Sequence, residues 1–218
     1  MKAYLLLLTT LLLFVSACDD AVAPLPAGVV ELEIGLEPQR LVVDGRGFHL
    51  KVEGIALTVT HPSLDGLPAR EWHEGTVFLS DNGSGRRRLL ARWEGVQPGT
   101  LELSIAPRGS SDLPSGAAFQ IAGIYNGLVG GPETNYGGFI LPFEIAVPLQ
   151  FDLSGTDLSA RGARYRLMLD PGTWFLDPET NRLIAIERLL STKDRVNDPG
   201  ALRVVELARA QIRLDRID

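Results

Sequence analysis

The sequence predicts a mainly β fold, an antiparallel β-sandwich of about 8–10 strands with a short helical appendage at the C-terminus. Two observations predict it. Between residues 29 and 170, apolar and polar residues alternate in short segments, roughly ten residues apart and separated by turns rich in Gly, Pro and Asp. Only in about the last 40 residues does the apolar spacing become helical.

The first strands follow from this alternation. Residues 30–36 have Val, Ile and Leu on one phase and mostly Glu on the other, which is typical of a strand with one buried face. Residues 41–43 form a second, short strand. The apolar phase of residues 48–52 is reversed in residues 55–59, so we expect a β-bulge near Gly54 to keep the apolar side chains on one face.

The middle of the chain contains a turn sequence between two strands. Residues 77–80 and 88–93 flank the segment Asp-Asn-Gly-Ser-Gly at 81–85, which predicts a hairpin loop. Residues 101–105 and 119–125 alternate in the same way and predict two further strands.

The longest alternation covers residues 139–153, where every odd position is apolar. Pro142 and Pro148 lie on the opposite phase, and proline favours edge strands because it cannot donate a backbone hydrogen bond. The pattern predicts either one long, bent edge strand or two strands broken at a proline. Residues 165–169 form the next strand.

Two helices are expected after this last strand. A short helix falls at about residues 183–190. Asp198 and Pro199 match an N-cap and the first helical position, and the following apolar spacing predicts a helix over about residues 199–213.

The N-terminus has the features of a secretory signal peptide. Lys2 precedes the apolar run Ala3–Val15, which is too short to cross a hydrocarbon core of roughly 30 Å. The run ends in Val15-Ser16-Ala17-Cys18, and Cys18 is the only cysteine of the chain. This arrangement resembles the lipobox of a bacterial lipoprotein. The alternative is an ordinary signal peptide that ends near a cysteine by chance.

The resemblance implies a membrane anchor. A diacylglycerol would be attached to the sulfur of Cys18, and the leader would be cleaved between Ala17 and Cys18. The chain would then divide into a signal peptide (1–17), a Pro- and Ala-rich tether (18–28) and one sandwich domain (29–218). We expect a protein of the bacterial cell envelope, anchored to the outer or inner membrane by this lipid and carrying no cofactor.

The body of the chain adds a second resemblance. Two segments carry it: Gly-Val-Gln-Pro-Gly-Thr at 95–100, and Tyr-Arg-Leu-Met-Leu-Asp at 165–170 before Trp174 and Phe175. They are similar to segments of β-sandwich domains in uncharacterised bacterial lipoproteins. The resemblance implies the fold and no particular activity.

Composition narrows the range of functions. The net charge of −6 gives no support to nucleic-acid binding. With Cys18 acylated, no thiol remains for catalysis or a disulfide. The sequence has no Gly-x-Ser-x-Gly, His-Glu-x-x-His, P-loop or Gly-x-Gly-x-x-Gly motif. These absences favour a non-enzymatic binding or structural module.

Three sets of residues are candidates for binding or chemistry. Tyr125, Asn126 and Tyr136 flank a Gly-rich loop, and with Trp174 they would bind an envelope protein or a glycan. Alternatively, the protein is a copper- or zinc-handling lipoprotein. Its metal ion would then be bound by His49, His61 and His73.

Carboxylates form the third set, and they suggest a hydrolase with an unrecognised carboxylate site or a calcium site. The residues concerned are Glu71, Glu74, Asp152, Asp157, Asp170, Asp177 and Glu179. Separately, three consecutive arginines at 86–88 could face anionic lipid, although strand alternation would place them on different sides.

Overall fold

The computed structural model describes residues 23–108, 112–114, 116–126, 136–192 and 195–217. In these residues two β-sheets share one continuous core of buried side chains, which confirms the predicted mainly β sandwich. The predicted signal peptide and Cys18 lie outside the described residues. Within the described part of the chain, no helix is both long and apolar enough to span a membrane.

The first sheet has five strands. Its central pair, β1 and β12, is parallel, whereas the other pairings between described strands are antiparallel. The strands, in spatial order, are β15 (Arg213–Arg216), β12 (Ala163–Leu169), β1 (Val30–Leu36), β7 (Arg87–Trp93) and β5 (Glu71–Trp72).

The second sheet has eight described strands and is organised around one long strand, β3. A separate two-stranded ribbon joins β13 (Leu176–Asp177) to β14 (Arg182–Leu183). The eight strands are β10 (Tyr136–Phe143), β9 (Phe119–Asn126), β3 (His49–Leu64), β8 (Thr100–Ile105) and β11 (Val147–Asp152) in spatial order, with β2 (Val42–Val43), β4 (Leu67–Pro68) and β6 (Thr76–Ser80) also paired to β3.

Strand β3 contains two bulges. The register against β9 shifts between Val52 and Gly54, where the sequence predicts a bulge, so the apolar residues on both sides of it face the core. A second shift lies between Thr60 and Ser63 and includes His61, whose φ is +51°. Each bulge turns the strand and lets it pair with different neighbours along its 16 residues.

The prediction of a hairpin loop around residues 81–85 is wrong. Strand β6 pairs with β3 in the second sheet, whereas β7 pairs with β1 and β5 in the first, so this turn connects the two sheets. The guanidinium of Arg86 stabilises the crossing by donating to the carbonyl and carboxylate oxygens of Asp81. Alternation predicts that a segment is a strand, but it does not identify the partner of that strand.

The long alternation after residue 138 forms two strands, one of the two predicted alternatives. Strands β10 and β11 lie at opposite ends of the second sheet, with Glu144–Ala146 between them. Pro142 and Pro148 therefore lie on edge strands, as their missing N–H requires. The break itself falls between the two prolines.

Two α-helices lie in the described residues, α1 (Ile186–Ser191) and α2 (Pro199–Gln211). The carboxylate of Asp198 caps α2 as predicted, accepting from the backbone N–H of Gly200 at 2.8 Å and of Ala201 at 3.1 Å. This short C-terminal helix packs into the core, because five of its residues are buried, and β15 follows it into the first sheet.

The domain begins earlier than residue 29. Leu25 is buried, and its carbonyl accepts from the N–H of Gly162. The N–H of Gly28 donates to the carbonyl of Leu158, and the guanidinium of Arg164 donates to the carbonyl of Ala23. Residues 23–28, which the sequence analysis assigns to the tether, therefore contact the sandwich.

Candidate functional site

A small cavity with both apolar and polar walls lies where β3 begins, β9 ends and the chain enters α1. It encloses about 80 Å³. We call it the Tyr125 pocket. Its walls are formed by Arg46, Phe48, His49, Leu50, Tyr125, Asn126, Leu183, Ile184, Ala185, Ile186 and Glu187.

Asp44 holds one wall of the Tyr125 pocket together. Its buried carboxylate accepts from the backbone N–H of Arg46 at 2.8 Å, Phe48 at 3.0 Å and Leu183 at 3.1 Å. The guanidinium of Arg46 donates to the same carboxylate at 2.7 Å and lies 4.6 Å from the centroid of the Phe48 ring. One side chain thus joins the turn before β3 to strand β14, 139 residues later.

The charge of Asp44 is stabilised by these contacts. Burial acts to raise the pKa of the carboxyl group, but the hydrogen bonds from Arg46, Leu183 and Phe48 outweigh it and hold the pKa below its ordinary value. Asp44 is therefore ionised at neutral pH, and the wall of the pocket is fixed by charge-assisted hydrogen bonds.

The opposite wall comes from the end of β9. The buried side chain of Asn126 accepts from the backbone N–H of His49, which ties β9 to the start of β3. The ring of Tyr125 packs edge-on against Phe139, with centroids 6.0 Å apart. Burial raises the pKa of the Tyr125 phenol, and the nearby carboxylate of Glu187 adds to the effect, so the hydroxyl remains a hydrogen-bond donor at neutral pH.

The arrangement is suited to binding a small group. Two aromatic rings and several aliphatic side chains form the walls, with a cation at Arg46 and a carboxylate at Glu187. A volume of about 80 Å³ takes one small apolar group, and the polar side chains at the walls can orient what is attached to it.

The structure brings together three of the predicted site residues, His49, Tyr125 and Asn126. Trp174 is 1% exposed and packs edge-on against Phe119 in the core, so its prediction as a surface residue is wrong. The side chain of Tyr136 and most of the Gly-rich loop lie outside what the structure describes.

The three histidines lie in different places. His49 lines the Tyr125 pocket, and His61 lines a separate open groove of about 620 Å³ beside β8 and β11. His73 follows β5, and its Nε2 lies 3.4 Å from the carbonyl oxygen of Thr76. Within the described ranges, no group of three His, Cys, Asp or Glu side chains is arranged to hold a metal ion.

Four of the seven carboxylates predicted for a calcium or hydrolytic site have partners within the fold. Asp177 and Glu179 both accept from the guanidinium of Arg203, at 3.0 and 3.2 Å. Asp152 and Asp157 accept from backbone N–H groups two residues later in their own turns. These contacts assign the four carboxylates to turns and ion pairs.

Sequence reasoning missed eight of the eleven residues that line the Tyr125 pocket. Arg46, Phe48 and Glu187 contribute its charges and one aromatic wall, and nothing in their local sequence singles them out. Asp44 precedes Gly45 in a typical turn, and that was the one available indication of a capping carboxylate at this position.

No protein-family model matches this sequence, and comparisons with curated proteins and with solved structures also found no match. A function for the chain is therefore argued from its N-terminal motif and from the geometry described above.

Proposed function

We propose that this protein is a lipid-anchored binding module of the bacterial cell envelope, held to the outer or inner membrane through Cys18. The Tyr125 pocket contacts a partner protein or a glycan. One observation carries the proposal: the lipobox-like motif ends five residues before the folded domain, and the pocket lies at the far end of β3 from that point.

The strand pairings show where the N-terminal end of the described domain and the Tyr125 pocket lie relative to β3. Ala23 precedes β1, which begins opposite Trp93 of β7. The indole N–H of Trp93 donates to the carbonyl of Leu67, next to the end of β3. The pocket lies at the start of β3, at the other end of this 16-residue strand. An anchor at Cys18 therefore leaves the pocket accessible.

The groups that form the pocket support binding rather than catalysis. The guanidinium of Arg46 is paired with Asp44, and the amide of Asn126 is bonded to the backbone of His49. These polar groups serve to hold the pocket in shape. The small volume accepts a single anchoring group of a partner, such as one aliphatic side chain of a protein or one methyl-bearing substituent of a glycan.

The anchor predicts a specific labelling result. The wild-type chain produced in bacteria should incorporate labelled palmitate, and Cys18→Ser should abolish the incorporation because the acceptor sulfur is lost. Ser16→Thr, which keeps the cysteine, serves as the control. Equal labelling of wild type and Cys18→Ser would refute the anchor.

Binding at the pocket is tested by site-specific photo-crosslinking in the native envelope. A photoreactive residue in place of Ala185, an exposed position at the pocket, should give a discrete adduct that disappears when Tyr125→Ala is added. The same residue in place of the exposed Ala160, two residues before Gly162, whose N–H donates to the carbonyl of Leu25, should not give this adduct. Glycan digestion and mass spectrometry identify its chemistry. Adducts that are the same from both positions, or that survive Tyr125→Ala, would contradict the proposal.

A further inference from the structure

The outer face of the first sheet carries a groove of about 530 Å³ with a concentrated positive charge. We call it the arginine groove. Four arginines line it, at 87, 88, 164 and 166, together with Glu33 and the exposed Leu89. Four positive charges lie beside two carboxylates, Glu33 in the groove and Glu31 bonded to Arg164, which leaves an excess of positive charge on a chain whose net charge is −6. The groove therefore attracts anions although the protein as a whole does not.

Two of the four arginines are held in place by carboxylates of β1. The guanidinium of Arg164 donates to Glu31 at 2.7 Å, and that of Arg166 donates to Glu33 at 2.7 and 3.0 Å. Gly35 makes room for the second of these, because a Cβ there would lie 2.7 Å from Cδ of Arg166. The floor of the groove is thus fixed, and little entropy is lost when an anion binds above it.

The other two arginines have no such partner. Arg87 and Arg88 are exposed at the start of β7, and neither side chain has an ion pair or hydrogen bond to any residue that the structure describes. Arg86, by contrast, is bonded to Asp81. One guanidinium group can donate two parallel N–H bonds to the oxygens of a phosphate. Arg87 and Arg88 are therefore the residues that a phosphate would engage.

The tether places this groove near the bilayer. A second N–H group of Arg164 donates to the carbonyl of Ala23 at 2.9 Å. Ala23 is five residues from Cys18, a span of at most about 18 Å. Resting on the proposed lipid anchor, we propose that the arginine groove lies against the membrane and binds the phosphates of anionic lipid headgroups. It supplies an electrostatic contact in addition to the acyl chains.

The test measures how the mature chain, residues 18–218 with Cys18→Ser, co-floats with vesicles. Partitioning should be stronger for vesicles with 30% phosphatidylglycerol in phosphatidylcholine than for phosphatidylcholine alone, and it should weaken as salt is added. Arg87→Gln and Arg88→Gln should each reduce the partition coefficient about 5-fold, and together about 25-fold. Arg182→Gln, at an exposed arginine of β14 outside the groove, should leave the partition coefficient unchanged.

Two results would overturn the proposal. One is equal partitioning of wild type and the double variant into anionic vesicles. The other is selective release by inorganic phosphate compared with chloride at the same ionic strength, which would identify a site for free phosphate rather than for a lipid surface. The chain used with vesicles carries no lipid, so the two experiments are independent. If it does not bind anionic vesicles, the palmitate labelling at Cys18 still tests the anchor. If the wild-type chain is not labelled with palmitate, the vesicle assay still tests the arginine groove.

Discussion

Replacing Asp44 by alanine is expected to lower the free energy of unfolding by about 3–5 kcal/mol. The buried carboxylate accepts from three backbone N–H groups and from the guanidinium of Arg46, and alanine leaves these donors without their acceptor. Urea unfolding followed by tryptophan fluorescence measures the effect, since Trp93 and Trp174 are buried in the core.

The control for Asp44→Ala is Asp157→Ala. Asp157 is exposed and caps only its own turn at Ser159, so its loss should leave the urea midpoint unchanged. If both variants unfold at the same urea concentration as wild type, Asp44 does not hold the wall of the Tyr125 pocket, and the account of that wall is wrong.

Acid should remove the difference between wild type and Asp44→Ala. The pKa of Asp44 is lowered in the folded chain, so its charged form stabilises the fold above its ordinary value of 3.8 and loses that effect as pH falls through the folded pKa. The gap in unfolding free energy between the two chains should therefore be constant from pH 7 to about pH 5 and shrink below about pH 4.

Local features of the fold could be predicted from the sequence. The bulge near Gly54 follows from a change of phase within a dozen residues, and the start of α2 follows from Asp198 and Pro199. In each case the residues that specify the feature are neighbours in the chain. The physical cause, a pleat with period two or a capped helix end, acts over the same few residues.

Partners distant in the chain could not be predicted. The parallel pairing of β1 with β12 joins residues 133 positions apart, and the separation of β6 from β7 depends on which sheet each strand enters. The Tyr125 pocket could not be predicted for the same reason, because its walls are distant from one another in the chain. Its walls meet only because Asp44 bonds to Leu183 and Asn126 to His49, which the alternation of single strands does not specify.

Gly123→Ala is expected to lower the free energy of unfolding by about 3 kcal/mol. Gly123 lies on the buried face of β9, on the same face as Phe119 and Ile121. An added Cβ would overlap the carbonyl oxygen of Lys51 and lie 2.9 Å from two carbons of the Phe139 ring. The oxygen belongs to β3 beside its first bulge, so strands β3 and β9 must separate to admit the methyl group.

Gly138→Ala is the matched control, because this glycine lies on neighbouring strand β10 and has no atom within 4 Å of an added Cβ. Its stability should stay within about 0.5 kcal/mol of wild type. Phe139 also packs against Tyr125, so a ring displaced by Gly123→Ala moves a wall of the Tyr125 pocket, and the crosslink from position 185 should be lost with it. Equal stability of the two variants would mean that β9 can move away from β3 at little cost, and that the pocket wall at Tyr125 is not fixed by Phe139.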